Sequence, residues 1–168
     1  MKPNISSDLY FYNLCVAIAS KSHCLSRQIG AILVFEDSII STGYNGPPRG
    51  VSHCEHACPR KAVGYPSGEG LHLCPAAHAE ANCIVNAARL GIQTLDSTMY
   101  MNCPIPCAEC TKLIINAGIT HLVVEDASFY STNTELMERL YINGPKIRQF
   151  AFVHLMDKEP KGCDNGKE

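Results

Sequence analysis

No apolar run in this 168-residue chain approaches the ~20 residues that a bilayer-spanning helix needs, which counts against a membrane span. Lysine and arginine never cluster beyond the pair Arg60-Lys61, and the net charge is −2. A polyanion binder carries a basic footprint, so long nucleic acid is not an expected partner. A single nucleotide needs only a few local cations and stays allowed. The first residues, Met1-Lys2-Pro3-Asn4, lack a signal-peptide pattern, and the expected location is the cytoplasm. In that reducing setting the ten cysteines read as metal ligands and buried apolar residues rather than as a disulfide framework. Charged residues make up only 18% and apolar residues 46%, too apolar for a disordered chain. There is no internal repeat. The length predicts one domain over 1–157, followed by a polar tail over 158–168.

Leu9, Tyr12, Val16 and Ala19 form one helical stripe and predict a helix over 8–21, with Ser6, Ser7 or Asp8 as N-cap. Two short runs at 29–35 and 39–42, parted by the turn Glu36-Asp37-Ser38, read as a hairpin. The stretch 43–75 is rich in Gly, Pro, Cys and His and shows no period. So long a loop in a compact domain is functional or pinned by something such as a metal. Beyond it the pattern alternates. A helix over 77–90 ends at Gly91, a strand spans 98–101, and a helix over 107–117 ends at Gly118. A strand at 121–125, a helix at 134–141 and a last strand at 149–154 complete the chain. A hairpin followed by alternating helix and strand implies an α/β fold with helices on both faces of a mixed sheet.

His78-Ala79-Glu80 and, after 25 intervening residues, Pro106-Cys107-Ala108-Glu109-Cys110 carry the chemistry. Cys107 and Cys110 are three apart, about 300° around a helix, and share a face. Pro106 suits a helix start, and a helix dipole there favours thiolate, the metal-binding form. His78 and Glu80 are about 200° apart in a helix interior and converge only at a helix start. Three ligands of mixed N/S type leave a fourth tetrahedral position of zinc open for water, the layout of a catalytic site. Glu80 is then the carboxylate that moves protons. A thioredoxin-like reading has no role for His78 or Glu80, and a zinc ribbon lacks its second C-x-x-C pair.

H-x-E followed by P-C-x-x-C is the signature of zinc nucleobase deaminases, and the wider sequence resembles the deoxycytidylate deaminase family. The likeness rests on residues 22–31 (Ser-His-Cys-Leu-Ser-Arg-Gln-Ile-Gly-Ala) and 42–50 (Thr-Gly-Tyr-Asn-Gly-Pro-Pro-Arg-Gly). It also rests on His78-Ala79-Glu80-Ala81-Asn82 and on Ile114-Ile115-Asn116-Ala117-Gly118-Ile119. It extends over about residues 10–125. It implies a cytidine-deaminase-like three-layer α/β/α sandwich with a mixed five-stranded sheet. It also implies hydrolysis of dCMP to dUMP, the precursor for thymidylate synthesis.

By the same resemblance Asn45 holds the deoxyribose and the Ala79 N–H touches the base carbonyl, although Tyr-Asn-Gly also suits a tight turn. Ser26 and Arg27 follow the first helix and are the candidates to receive the 5′-phosphate, while Arg27, like Arg49, also reads as a solvated loop cation. Arg89 reads as a surface or interface residue. Cys24, Cys54, Cys58 and Cys74, with His53, His56 and His72 nearby, match a second, structural zinc found in some members. Members of this type are commonly homohexamers, activated by dCTP with Mg²⁺ and inhibited by dTTP. Here the effector is expected near the turn Gly43-Tyr44-Asn45-Gly46, whose glycines let the backbone approach a phosphate, with Gln28, Arg27 and Arg49 as candidate polar contacts. The competing readings are a deaminase of dCTP, cytidine or another small heterocycle, and an inactive zinc-stabilised binding module, for which Glu80 would have no use.

Overall fold

Strand β1 (Gly30–Phe35) reads Gly-Ala-Ile-Leu-Val-Phe, apolar towards both faces, and becomes the buried interior of a sheet. The computed structural model describes residues 6–54, 56–66, 69–128 and 134–151. The other strands are β2 (Ser38–Tyr44), β3 (Thr98–Met101), β4 (His121–Val124) and β5 (Lys146–Gln149). Their order is β2-β1-β3-β4-β5, five strands in one sheet. β1 is antiparallel to both β2 and β3, whereas β4 is parallel to β3 and to β5.

Alternation along β1 assigns the two faces. Ile32 and Val34 point to α1 (Ser7–Ala19), where Phe11 and Cys15 cover them. Ala31 and Leu33 point the other way, with Met99, Met101, Leu122 and Val124. That face is covered by α3 (Ala79–Arg89) through Ala79, Cys83 and Ala87, and by α4 (Ala108–Asn116) through Ile114. Each side chain of the size of Leu33 or Ile114 contributes about 1.5–3 kcal/mol by leaving water. α5 (Thr134–Ile142) adds Met137 to this layer, and the Tyr141 hydroxyl meets that of Thr111 on α4 at 3.1 Å. The result is the three-layer α/β/α arrangement with a mixed five-stranded sheet.

Local chemistry sets the boundaries. Ser6 caps α1 by accepting the Leu9 N–H at 3.2 Å, and the helix ends at Ala19, two residues before the expected end. The hairpin turns on Glu36 and Asp37, both left-handed at φ 46° and 59°, the two-residue turn whose twist matches the strands. β2 then runs to Tyr44, longer than expected. Gly91 and Gly118, at φ 67° and 70°, follow the ends of α3 and α4.

Two expectations need correction. The last strand is Lys146–Gln149, earlier than 149–154, and residues 152–154 lie outside the described residues, as does the predicted tail. As an edge strand β5 needs only Ile147, paired with Leu122, to face the core, so it lacks an apolar run. Phe150, which begins the apolar run that marked the expected strand, is instead buried just after β5 against Tyr12 and Tyr100. The stretch over 43–75 also has structure of its own: α2 (Pro59–Ala62) and a single 3₁₀ turn, Leu71–Leu73. Arg60 on α2 donates to the carbonyl oxygens of Glu69 and Pro66 and draws this loop together.

Helix and sheet approach most closely at two glycines. A Cβ on Gly30 would collide with the Cys15 carbonyl oxygen of α1, and one on Gly43 with the Cys83 nitrogen and Ala79 oxygen of α3. These are backbone atoms, which cannot swing aside. Gly43→Ala is therefore expected to lower stability by about 1–3 kcal/mol, the range for overpacking a tight core. Urea unfolding of the variant beside the parent checks this, and an unchanged midpoint would show that α3 is free to move off β2.

Candidate metal centre and active site

Two loops return to the sheet before they deliver the site. After β2 the chain leaves at Gly46 and comes back at Ala77, and these two residues exchange backbone hydrogen bonds of 3.1 and 2.9 Å. His78 is the next residue and the N-cap of α3. After β3 a bridge between Pro104 and Asp126, with the Ile105 N–H on the Asp126 carbonyl oxygen at 3.2 Å, fixes the approach to α4. Cys107 is the N-cap of α4 and Cys110 lies in its first turn. Both helices thus begin at one end of the sheet, on one face.

The donor atoms of His78, Cys107 and Cys110 all lie within 4.8 Å of one another, the one such trio among the described residues. His78 Nδ1 is 3.5 Å from Cys107 Sγ and 3.4 Å from Cys110 Sγ. Hydrogen bonds from Cys110 and His78 push the Cys107 thiol below its usual range, against burial. Its neighbour Cys110 is pushed up, by its bond to Cys107 and by burial. The Cys107 bond also raises His78, with burial and the charge of Arg60 opposing. One imidazole and two thiols, one already favouring thiolate, make a donor set that fits zinc with a position left over.

Glu80 lies in the first turn of α3, only 5% exposed, and burial raises its carboxyl above the ordinary range. It faces the same 420 Å³ cavity as His78 and Cys107. Burial beside the trio thus favours the protonated form of this carboxyl more than water does.

Ser26, Arg27, Asn45 and Ala79 also line this cavity. Asn45 is buried, with its Oδ1 accepting the Ile29 N–H at 2.8 Å and its Nδ2 donating to the Arg27 carbonyl oxygen at 2.9 Å. That amide locks the end of β2 to the segment before β1, and one N–H and one lone pair are left over. Arg27 pairs with Glu125 at 3.0 Å, and Glu125 in turn accepts the Tyr12 hydroxyl at 2.6 Å. Of the residues matched to an effector turn, Gly43 is buried under α3. Gln28 donates to the Ser22 carbonyl oxygen at 2.6 Å, Tyr44 is exposed, and Gly46 is in the bridge to Ala77. Arg49 bonds Asn86 at 3.1 Å; neither it nor Arg89 lines the cavity.

Cys24 and Cys74 line the cavity as well, while Cys54 and Cys58 do not. The His23 and His53 rings stack at 4.6 Å, which sets the segments of Cys24 and Cys54 side by side. Burial raises the Cys54 thiol, and so do Cys74, Cys58 and Cys24. The Lys61 amide lowers Cys58 at the start of α2. These four gather without converging to the separation seen in the first trio. All nine described cysteines are free of disulfides.

Residues that sequence reasoning missed also build the walls. Arg60, Glu69, Leu71, Cys103, Ile105 and Met137 all face the cavity. Cys58-Pro59, a cap position followed by proline, was the local signal for the helix that carries Arg60. Nothing local signals that Arg60 is buried.

The sequence profile of the cytidine and deoxycytidylate deaminase zinc-binding region matches residues 5–126. A deoxycytidylate deaminase of Saccharomyces cerevisiae is 35% identical over 154 residues, 91% of this chain and 47% of the yeast protein. The chain thus spans about half the length of that relative. A deoxycytidylate deaminase of Mycobacterium phage D29 is 35% identical over 121 residues, 69% of this chain and 91% of the phage protein. Among solved structures, a dCMP deaminase of cyanophage S-TIM5 in complex with dCMP and dUMP superposes with a TM-score of 0.65 at 21% identity. It covers 87% of this chain and 99% of that chain, and shares the fold.

The trio makes a prediction about protons. Cys110 is pushed up and His78 is raised, so a metal that takes both must displace protons. Zinc affinity should then weaken as pH falls, by about tenfold per pH unit for each proton displaced. Competition with a calibrated chromophoric chelator at pH 6 and pH 8 measures this. Affinity independent of pH would exclude the trio as the ligand set.

Proposed function

The chain belongs to the cytidine and deoxycytidylate deaminase family with its zinc-binding region, and from that premise we propose that it converts dCMP to dUMP by hydrolysis of the 4-amino group. The observation that carries the reading is the convergence of His78, Cys107 and Cys110 beside buried Glu80 in one cavity. His78, Cys107 and Cys110 hold zinc, which supplies Lewis-acid activation of water at neutral pH. Glu80 accepts the proton of the attacking water and delivers it to N3 of the base; it then takes the remaining proton of the added hydroxyl, as the carbonyl forms, and passes it to the amine, which departs as ammonia. Its raised carboxyl suits both directions of transfer. Ala79 is the first residue of α3, and its N–H, which has no partner within the helix, is available to the base carbonyl. Asn45 offers its remaining N–H and lone pair to the sugar, and Ser26 and Arg27 face the phosphate end.

The proposal extends to a cytoplasmic role in supplying dUMP for thymidylate synthesis. Among the described residues no helix is long and apolar enough to cross a membrane. The family resemblance supports a homohexamer activated by dCTP with Mg²⁺ and inhibited by dTTP. The exposed residues Tyr44, next to Asn45 in the chain, and Gln28, between the two residues that the Asn45 amide bonds, are the contacts open to such an effector. A second, structural zinc on Cys24, Cys54, Cys58 and Cys74 would draw these thiols together and order the long loop. Their clustering in a long stretch without periodicity, where buried apolar thiols are not expected, supports it.

An ultraviolet assay with dCMP, CMP, dCTP and deoxycytidine in parallel tests the activity, and zinc-loaded protein that deaminates none of them defeats it. The same assay with Mg²⁺ and either dCTP or dTTP reads the regulation, which a hyperbolic response unmoved by both would remove. Glu80→Gln should keep its metal and lose about 10²–10⁴-fold in turnover, the contribution of general acid–base catalysis. Activity within about tenfold of the parent would take Glu80 out of the mechanism. Metal analysis of protein freed of loosely bound zinc should approach two per chain rather than one, and a count of one removes the structural site.

A further inference from the structure

Arg60 is a buried cation, only 8% exposed, with no carboxylate partner among the described residues. Its Nε donates to the Glu69 carbonyl oxygen and its Nη2 to that of Pro66 at 2.8 Å. A guanidinium carries five N–H donors, and these two bonds leave the rest unused. The side chain forms part of the cavity wall with His78 and Glu80. A buried charge without a counter-ion is costly, so a cavity that holds one favours an anionic ligand.

The other guanidinium on the wall is differently placed. Arg27 bonds Glu125 at 3.0 Å and is 43% exposed, so its charge is both compensated and solvated. Glu69 also reaches the wall, but it is exposed, and it is its backbone oxygen that binds Arg60. Lys61, next to Arg60 on α2, donates to the Leu25 carbonyl oxygen at 3.2 Å, which seats α2 against the segment of Ser26 and Arg27.

We propose that Arg60 is the specificity-determining residue of the cavity and receives the phosphate monoester of the substrate. The inference rests on the dCMP reading and deepens it, since it assigns the preference for nucleotide over nucleoside to one side chain. Two loop carbonyls hold the guanidinium before the ligand arrives, so little ordering accompanies phosphate binding. Its free N–H groups match the paired oxygens of a phosphate, a geometry that lysine does not reproduce.

The test compares kcat/KM for dCMP and for deoxycytidine in zinc-loaded parent, Arg60→Gln and Arg60→Met proteins. The ratio of the two values is independent of the fraction of active enzyme, so partial misfolding leaves it unchanged. Methionine replaces the buried cation with an uncharged chain of similar length that brings no polar group of its own into the cavity, and it decides the question if the glutamine variant aggregates. The expected result is a fall of about 10- to 150-fold in the ratio, the effect of a charged hydrogen bond. Deoxycytidine turnover per zinc-loaded chain should change far less. Arg27→Gln, whose charge Glu125 already compensates, should lower the ratio less than Arg60→Gln. A parent that prefers dCMP with variants that keep its ratio overturns the role of Arg60 and leaves the dCMP reading intact. A parent that deaminates both substrates equally well defeats the phosphate preference itself, and the role of Arg60 with it.

Discussion

Everything at the site depends on how closely α3 lies against β2. The absence of a side chain at Gly43 lets the backbone of the strand touch the backbone of the helix at Ala79 and Cys83. The Ser41 hydroxyl adds a 2.7 Å bond to the Cys83 carbonyl oxygen, and Asn82 and Asn86 donate to the carbonyl oxygens of Tyr44 and Thr42 at 2.8 Å each. Helix and strand are thereby fixed along their whole contact, and the start of α3 is fixed with them. His78 and Glu80 inherit their positions from that contact. The second half of the donor set arrives on α4, held against the same sheet face by Ile114. A metal trio drawn from two helices needs both helices anchored to one rigid surface, and the sheet is that surface.

The electrostatics follow from this placement. A buried carboxyl, two thiols and an imidazole share one small volume, and each shifts the others. The thiols and the imidazole share hydrogen bonds with one another, whereas the Glu80 carboxyl is raised by burial and lies outside that trio. Further along the wall, Arg27 and Tyr12 converge on Glu125, so that region is electrically balanced by its own residues.

The sequence made most of the fold legible because its elements obey local rules. The β-branched run of β1, the stripe of α1 and the glycines after α3 and α4 each mark an element without reference to the rest of the chain. β5 was misplaced because an edge strand needs few apolar residues, and the more apolar Phe150 stretch beside it drew the expectation. That His78, Glu80, Cys107 and Cys110 come together was legible because helix starts leave short patterns and the spacing puts these residues at two of them. Arg60 was not, because its burial comes from carbonyls of Pro66 and Glu69 folding back over it. Asn45 was half legible. Its place in a turn-like tripeptide gave no sign that its amide spans to Arg27 and Ile29.

The backbone pairing of Gly46 with Ala77 has a consequence for how such a chain can change. The two ends of the intervening excursion are hydrogen-bonded neighbours, so its length is uncoupled from the position of His78. Closing a longer excursion costs little, about 0.6 kcal/mol for each doubling of loop length. Residues can be added, removed or exchanged between 47 and 76 while the His78 end of α3 stays where it is. The excursion nevertheless supplies Arg60, Glu69, Leu71 and Cys74 to the cavity wall. The lining of the cavity can thus be rewritten in a segment whose editing leaves the starts of α3 and α4 in place.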